Sequence, residues 1–141
     1  MNLGGILFMP KLSLKSLERI IEGRKKKEEE LVTLISSNKD NFPVDLVSGI
    51  YAIFCISNNK IYFGKSVNVR ARLLKHQRCL RNGEHINKRL LRAFRKYGEH
   101  SFIFCVIEKT PVENLTSREK HFISYYKSFR KYYGFNIKKV L

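Results

Sequence analysis

Two apolar, β-prone runs joined by a four-residue turn constrain this chain more than any other feature. Gly49-Ile50-Tyr51-Ala52-Ile53-Phe54-Cys55-Ile56 and Ile61-Tyr62-Phe63 flank Ser57-Asn58-Asn59-Lys60, so the segment reads as a β-hairpin, with Gly64 ending its second strand. A third run, Phe102 to Ile107, is apolar throughout and reads as a buried strand. Between and after these runs the spacing is helical. Asn68 is placed to cap a helix carrying Val69, Leu73 and Leu80. A second helix carries Leu90, Leu91, Phe94 and Tyr97 and stops at Gly98, and a third starts near Thr116 and includes Phe122, Ile123 and Tyr126. The tail from Tyr133 to Ile137 reads as irregular or strand-like.

Ahead of the hairpin, apolar residues recur at Leu14, Leu17, Ile20, Ile21, Leu31, Leu34 and Ile35. Gly23 and the block Arg24-Lys25-Lys26-Lys27-Glu28-Glu29-Glu30 break that pattern, which predicts one interrupted helix or two short ones from about Ser13 to Ser36. Ser37 to Pro43 reads as a loop and marks the candidate boundary between an N-terminal helical extension, 1–47, and a domain, 48–141. The order is a helical segment, then β-β-α-α-β-α. With 141 residues there is room for one ordinary domain with a sizeable core and not for two.

The net charge of +16 exceeds what solubility requires and is unevenly placed. Of 28 Lys/Arg, 20 lie after residue 48, together with only 5 of the 12 acids. Between Lys65 and Lys96 there are 11 basic residues and a single acid, Glu84. Solvated helix faces mix signs, whereas a field of one sign attracts polyanions. Because core-type apolar residues are interleaved with the positives, nucleic acid is favoured over an anionic membrane. Cys55, Cys79 and Cys105 are odd in number and widely spaced, which points away from a disulfide framework or zinc cluster and towards a reducing compartment. The first nine residues lack a basic stretch before an apolar core, and no apolar run approaches the ~18 residues of a membrane span. The expected location is therefore inside a cell (cytoplasm, nucleoid, organelle matrix or a phage-infected cell) and not secreted.

Gly49-Ile50-Tyr51 followed by Tyr62-Phe63-Gly64 resembles the paired tripeptides of the GIY-YIG nuclease superfamily. Arg72, His76, Glu119 and Asn136 follow in the family's order on the expected elements. The Arg118-Glu119 pair and the spacing look most like phage and intron-type homing endonucleases. The resemblance covers 48–138, with Phe63 standing where an aliphatic residue is usual. It implies an α/β (α+β) fold: a small three-stranded antiparallel sheet flanked by helices, here preceded by the N-terminal helical segment. It also implies a Mg²⁺- or Mn²⁺-dependent endonuclease with one ion per active site, acting on DNA, double-stranded first, with RNA left open, no membrane and a homodimer as a further expectation.

The residue types suit that chemistry. Phosphodiester hydrolysis needs a positioned water, neutralised phosphoryl oxygens and help for the leaving oxygen. Glu119 is the candidate metal ligand, with Arg118 and Lys120 beside it expected to hold it ionised. The sequence Thr116-x-x-Glu119 also has the form of a capping box, in which the same carboxylate would serve a backbone amide. Arg72 suits a bidentate grip on the scissile phosphate. His76, one turn on, is expected on the same face as Arg72, opposite the apolar stripe, where it could accept or relay a proton. By similarity, Tyr51 orients or deprotonates the attacking water, Tyr62 positions a bound water or phosphate, and Asn136 ties the tail to the site. Gly49 and Gly64 would let backbone approach the phosphate or close the hairpin. Lys65, Arg70, Lys75, Arg78, His85, Lys88, Arg89 and Arg92 are the candidate DNA contacts. Two other readings remain open: a binding module of the same fold without activity, and a structural or ribosome-associated basic protein.

Overall fold

The structure, a computed structural model, describes residues 13–137. In chain order it contains α1 (Leu14–Asn38), β1 (Gly49–Cys55), β2 (Ile61–Ser66), α2 (Val69–Asn82), α3 (Lys88–Tyr97), β3 (Phe102–Lys109) and α4 (Leu115–Tyr126). The element order is the one expected. Helix α1 runs without interruption through Gly23, because one glycine costs a helix only about 1 kcal/mol and opposite charges in the Lys/Glu block lie three or four residues apart. Two compact units divide inside α1, between Glu30 and Leu31. In the first, the described part is the helix Leu14–Glu30, with Leu14, Leu17, Ile20 and Ile21 exposed. The second holds everything from Leu31 onward, including the loop that suggested a boundary.

In that second unit the sheet order is β2-β1-β3, with both pairings antiparallel. Strand β1 is central and buried along its whole length, hence its unbroken apolar sequence. Its alternate residues serve two cores. Tyr51, Ile53 and Cys55 face Val69, Leu73 and Leu80 of α2 and Leu90, Leu91 and Phe94 of α3. Ile50, Ala52 and Phe54 face Leu115, Phe122 and Ile123 of α4, with Leu31 and Ile35 on the same side. Asn68 caps α2 through Oδ1, which accepts from the Ala71 amide at 3.1 Å, and the Gly98 amide closes α3 on Phe94 O, both as expected.

Strand β2 is an edge, and the outward backbone groups of Ile61 and Phe63 are engaged. The Ile61 amide donates to Tyr133 O at 3.3 Å, and Ile61 O accepts from Phe135 at 2.9 Å. Asn136 then acts as a substitute strand: its Oδ1 accepts from the Phe63 amide at 3.0 Å and its Nδ2 donates to Phe63 O at 2.9 Å. The tail is therefore a strap along the edge that would otherwise be open for pairing. Gly64 does not end the strand, which continues to Ser66. Its role is steric, since a Cβ there would strike the Tyr51 phenol, just as one at Gly49 would strike the Glu108 carbonyl beside the irregular pairing of β1 with β3. Phe63 is fully buried against Phe122 and Tyr126. The three cysteines are free.

Candidate active site

The site is assembled across the edge strand from both faces of the sheet. Tyr51, Tyr62 and His76 come from the α2/α3 side, with ring centroids 5.4 to 6.3 Å apart. Glu119 comes from α4 on the other side, close enough to act electrostatically on both Tyr62 and Arg72. Gly64 lies directly against the Tyr51 phenol. Lys65 contributes from the strand itself, with its Nζ donating to Thr116 Oγ1 at 2.8 Å.

His76 lies where the expected helical face was misjudged. Residues 69, 73, 76 and 80 recur at intervals of four, three and four, so His76 belongs to the buried stripe of α2 rather than to the face opposite it. Arg72 remains on the exposed side. Within the core, His76 Nε2 is 2.6 Å from Tyr51 Oη, and His76 Nδ1 is 2.7 Å from His85 Nε2. His85 Nδ1 in turn accepts from the Asn87 backbone amide at 3.0 Å. Burial, then the positive field of His85, Arg72 and Lys75, drives His76 down to about 3, and burial lowers His85 as well. Both rings are therefore neutral near pH 7, with one donor and one acceptor nitrogen each. The Asn87 amide can only donate, so His85 must donate from Nε2 to His76 Nδ1. His76 must then donate from Nε2 to Tyr51 Oη. The phenolic proton of Tyr51 is left to point into the cleft, towards Tyr62.

Burial and the neighbouring Tyr62 raise Tyr51 above the usual phenol value, and burial raises Tyr62 too, against the opposing pull of Arg72. At rest both are phenols. The cluster thus presents an oriented hydroxyl, already accepting one hydrogen bond from His76, beside the guanidinium of Arg72, which is stabilised as a cation chiefly by the nearby Tyr51.

Glu119 is half-buried, and burial raises its carboxyl above the usual range, partly offset by Lys65, whose backbone amide also bonds it, and by Arg72. Its chain neighbours do not hold it as expected. Arg118 turns instead to Glu108, with Nη2 2.7 Å from Oε1, and holds that carboxyl below its usual range. The capping box is not formed either: α4 begins at Leu115, with Asn114 in the cap position. Glu119 is left with its oxygens at the cleft.

The other candidates divide. Arg70, Lys75, Arg78, Lys88 and Arg92 are exposed. Arg70 donates to Pro43 O at 3.0 Å, and Arg89 donates to Asn136 O at 2.7 Å. His85, expected among the DNA contacts, is only 4% exposed and stands behind His76 as an internal partner. Asn87 was missed. It caps α3 through Leu90, fixes His85, and anchors the tail through Phe135 O at 2.7 Å. Its signal, an Asn directly ahead of the helix run Lys88-Arg89-Leu90-Leu91, was legible as an N-cap. Among the described residues no group of three His, Cys, Asp or Glu could hold a metal.

Comparison with known proteins agrees with this fold. The GIY-YIG catalytic domain profile matches residues 47–133. Intron-associated endonuclease 1 of Enterobacteria phage T4 is 35% identical over 92 residues, which is 64% of this chain but 36% of that protein, so the chain spans about a third of its relative's length. Two solved structures superpose with the chain. One is a point mutant of the catalytic domain of intron endonuclease I-TevI, with TM-score 0.60 and 30% identity over 67% of this chain and 97% of that one. The other is the catalytic domain of homing endonuclease I-TevI, with TM-score 0.59 and 32% identity over 64% and 98%.

Proposed function

The chain belongs to the GIY-YIG catalytic-domain family, and from that premise we propose that it is a divalent-metal-dependent endonuclease hydrolysing phosphodiester bonds in double-stranded DNA. The observation that carries this reading is the convergence of a cation, two phenols and a carboxylate in a domain that holds most of the chain's excess positive charge.

Arg72 binds and neutralises the phosphoryl oxygens, where added negative charge develops as the water attacks. Tyr51, fixed by the His85–His76 chain, positions that water through its hydroxyl. A phenolate formed there would be held by the His76 N–H and by Arg72, so proton withdrawal is supported on two sides. Tyr62 confines the phosphate from the adjacent strand position. His76 is a positioning residue; neutral and already donating to Tyr51, it does not serve as the resting base. Glu119 would hold the metal. A single carboxylate near the Tyr62 phenol is an all-oxygen donor set, which suits Mg²⁺ or Mn²⁺, since Mg²⁺ keeps several waters and takes further oxygens from phosphate. When bound, the ion supplies charge to the phosphoryl and leaving oxygens. One such site cuts one strand, so a double-strand break requires a homodimer or successive nicks. Three free thiols accord with a reducing compartment.

The test is cleavage of supercoiled plasmid with Mg²⁺ and with EDTA, by wild type, Arg72→Ala and Glu119→Gln. Each substitution is expected to slow cutting by at least about a hundredfold, and EDTA to abolish it. Because glutamine keeps the size and shape of Glu119 and only its charge is lost, the Gln variant is expected to fold normally, so its loss reports chemistry. No cutting by wild type at any concentration, alongside salt-sensitive binding, would mean a binding module.

A further inference from the structure

A second basic surface lies beyond the catalytic cluster. Lys60 from the β1–β2 turn, Arg89, Arg92 and Lys96 from α3, and Lys131 and Tyr132 from the segment after α4 line a groove of about 350 Å³. No carboxylate lines it, and none of Tyr51, Tyr62, Arg72, His76 or Glu119 does. The two described side-chain ion pairs, Arg81–Glu99 and Arg118–Glu108, involve none of its cations. Tyr132 is 76% exposed and stands beside Lys131, with Nζ 5.5 Å from the ring centre; Tyr97 and Lys96 repeat the arrangement at 5.2 Å. Cations interleaved with exposed aromatic rings are what a nucleic-acid backbone with accessible bases rewards.

The groove is also physically continuous with the edge on which the site is built. Its wall includes Gly134 and Phe135, which pair with Ile61, and Arg89 holds the carbonyl of the same Asn136 whose side chain braces Phe63. Tyr62 sits between those two strand residues.

We propose that this groove binds the DNA flanking the scissile phosphate, gripping successive backbone phosphates with Lys60, Arg92, Lys96 and Lys131 and stacking on Tyr132 where a base is unpaired. The proposal rests on the reading that the cleft itself takes DNA. It assigns five residues, Lys60, Lys96, Tyr97, Lys131 and Tyr132, to substrate holding. A small anion is a poorer match, because the cations are spread over three chain segments. A lipid surface is poorer still, since the lining has no exposed aliphatic side chain.

The test is fluorescence anisotropy of a labelled duplex in EDTA over a salt series. The triple variant Lys60→Ala/Lys96→Ala/Lys131→Ala is compared with Lys15→Ala/Lys25→Ala/Lys26→Ala on α1, which removes the same charge elsewhere. Neutralising three phosphate contacts is expected to weaken binding about ten- to a hundredfold and to reduce the salt slope by between about two and three. The α1 triple is expected to stay within about twofold of wild type. Equal losses in both triples, or an unchanged salt slope in the groove triple, would overturn the proposal. The two readings fail separately. If wild type does not cut in Mg²⁺ but the groove triple alone loses binding, the nuclease assignment falls and the groove stands. If wild type cuts and the groove triple binds as wild type does, the groove alone falls.

Discussion

At Gly64 the edge strand passes so close to the Tyr51 phenol that any Cβ would collide with it, on a strand whose other positions tolerate large side chains. Because the Tyr51 ring is buried and tied to His76 at 2.6 Å, it cannot swing aside cheaply. Gly64→Ala is therefore expected to cost between about 1 and 3 kcal/mol of stability and to reduce cutting more than DNA binding, because Arg72 stays in place while Tyr51 moves. Chemical denaturation beside single-turnover cleavage measures both; a variant with normal stability and rate would show that the ring has slack. The same scale shows where residue-level reading of the sequence stopped. Arg72, Tyr51, Tyr62 and Glu119 could be named from the family resemblance that their types and order carry. The direction of the Tyr51–His76 hydrogen bond could not, because it is set by an amide at Asn87, through a second histidine, in a part of the chain with no chemical motif of its own.

Among the elements, β2 and the tail are the pair whose relationship matters most. Residues 133–136 have almost no regular structure, yet they satisfy the outward groups of Ile61 and Phe63. Asn136→Ala would strip partners from both the amide and the carbonyl of Phe63, and from Ser128 Oγ, which donates to Asn136 Oδ1 at 2.6 Å. With about 1–3 kcal/mol for each buried backbone group left unpaired, a loss of several kcal/mol is expected. Hydrogen exchange should show faster exchange confined to β2; unchanged protection at Phe63 would contradict the strap. Strand and helix identities were readable because β1 and β3 are unbroken apolar runs, while α2–α4 have apolar periods and end signals at Asn68 and Gly98. The strap was not, since a side chain standing in for a strand leaves no periodic trace. His76 was misplaced for a related reason: a polar residue in an apolar stripe reads as a break in the pattern unless its partner is known.

For the molecule as a whole, the buried histidines link the site to acid stability. In the unfolded chain His76 titrates near the ordinary 6.5, whereas in the fold it is held down to about 3. Protons therefore bind the unfolded state first, and stability present above pH 6.5 is lost as pH falls towards 3, at up to about 1.4 kcal/mol per pH unit. His85 is lowered and adds in the same direction. Glu119 is raised, so its protonation favours the fold as pH falls and offsets part of that loss. Thermal melts from pH 7.5 to 4 are expected to show a falling midpoint, with a shallower fall in His76→Gln; identical slopes would contradict a buried neutral pair. The strap has a temporal consequence as well. Its residues lie 73 positions after the strand they close, and a ribosome working at roughly 5–20 residues per second needs several seconds to cover that distance. Until then Tyr62 stands on an unbraced margin and Glu119's helix has only just emerged. The proposed cutting competence therefore waits for the strap, some seconds after the edge strand itself has been made.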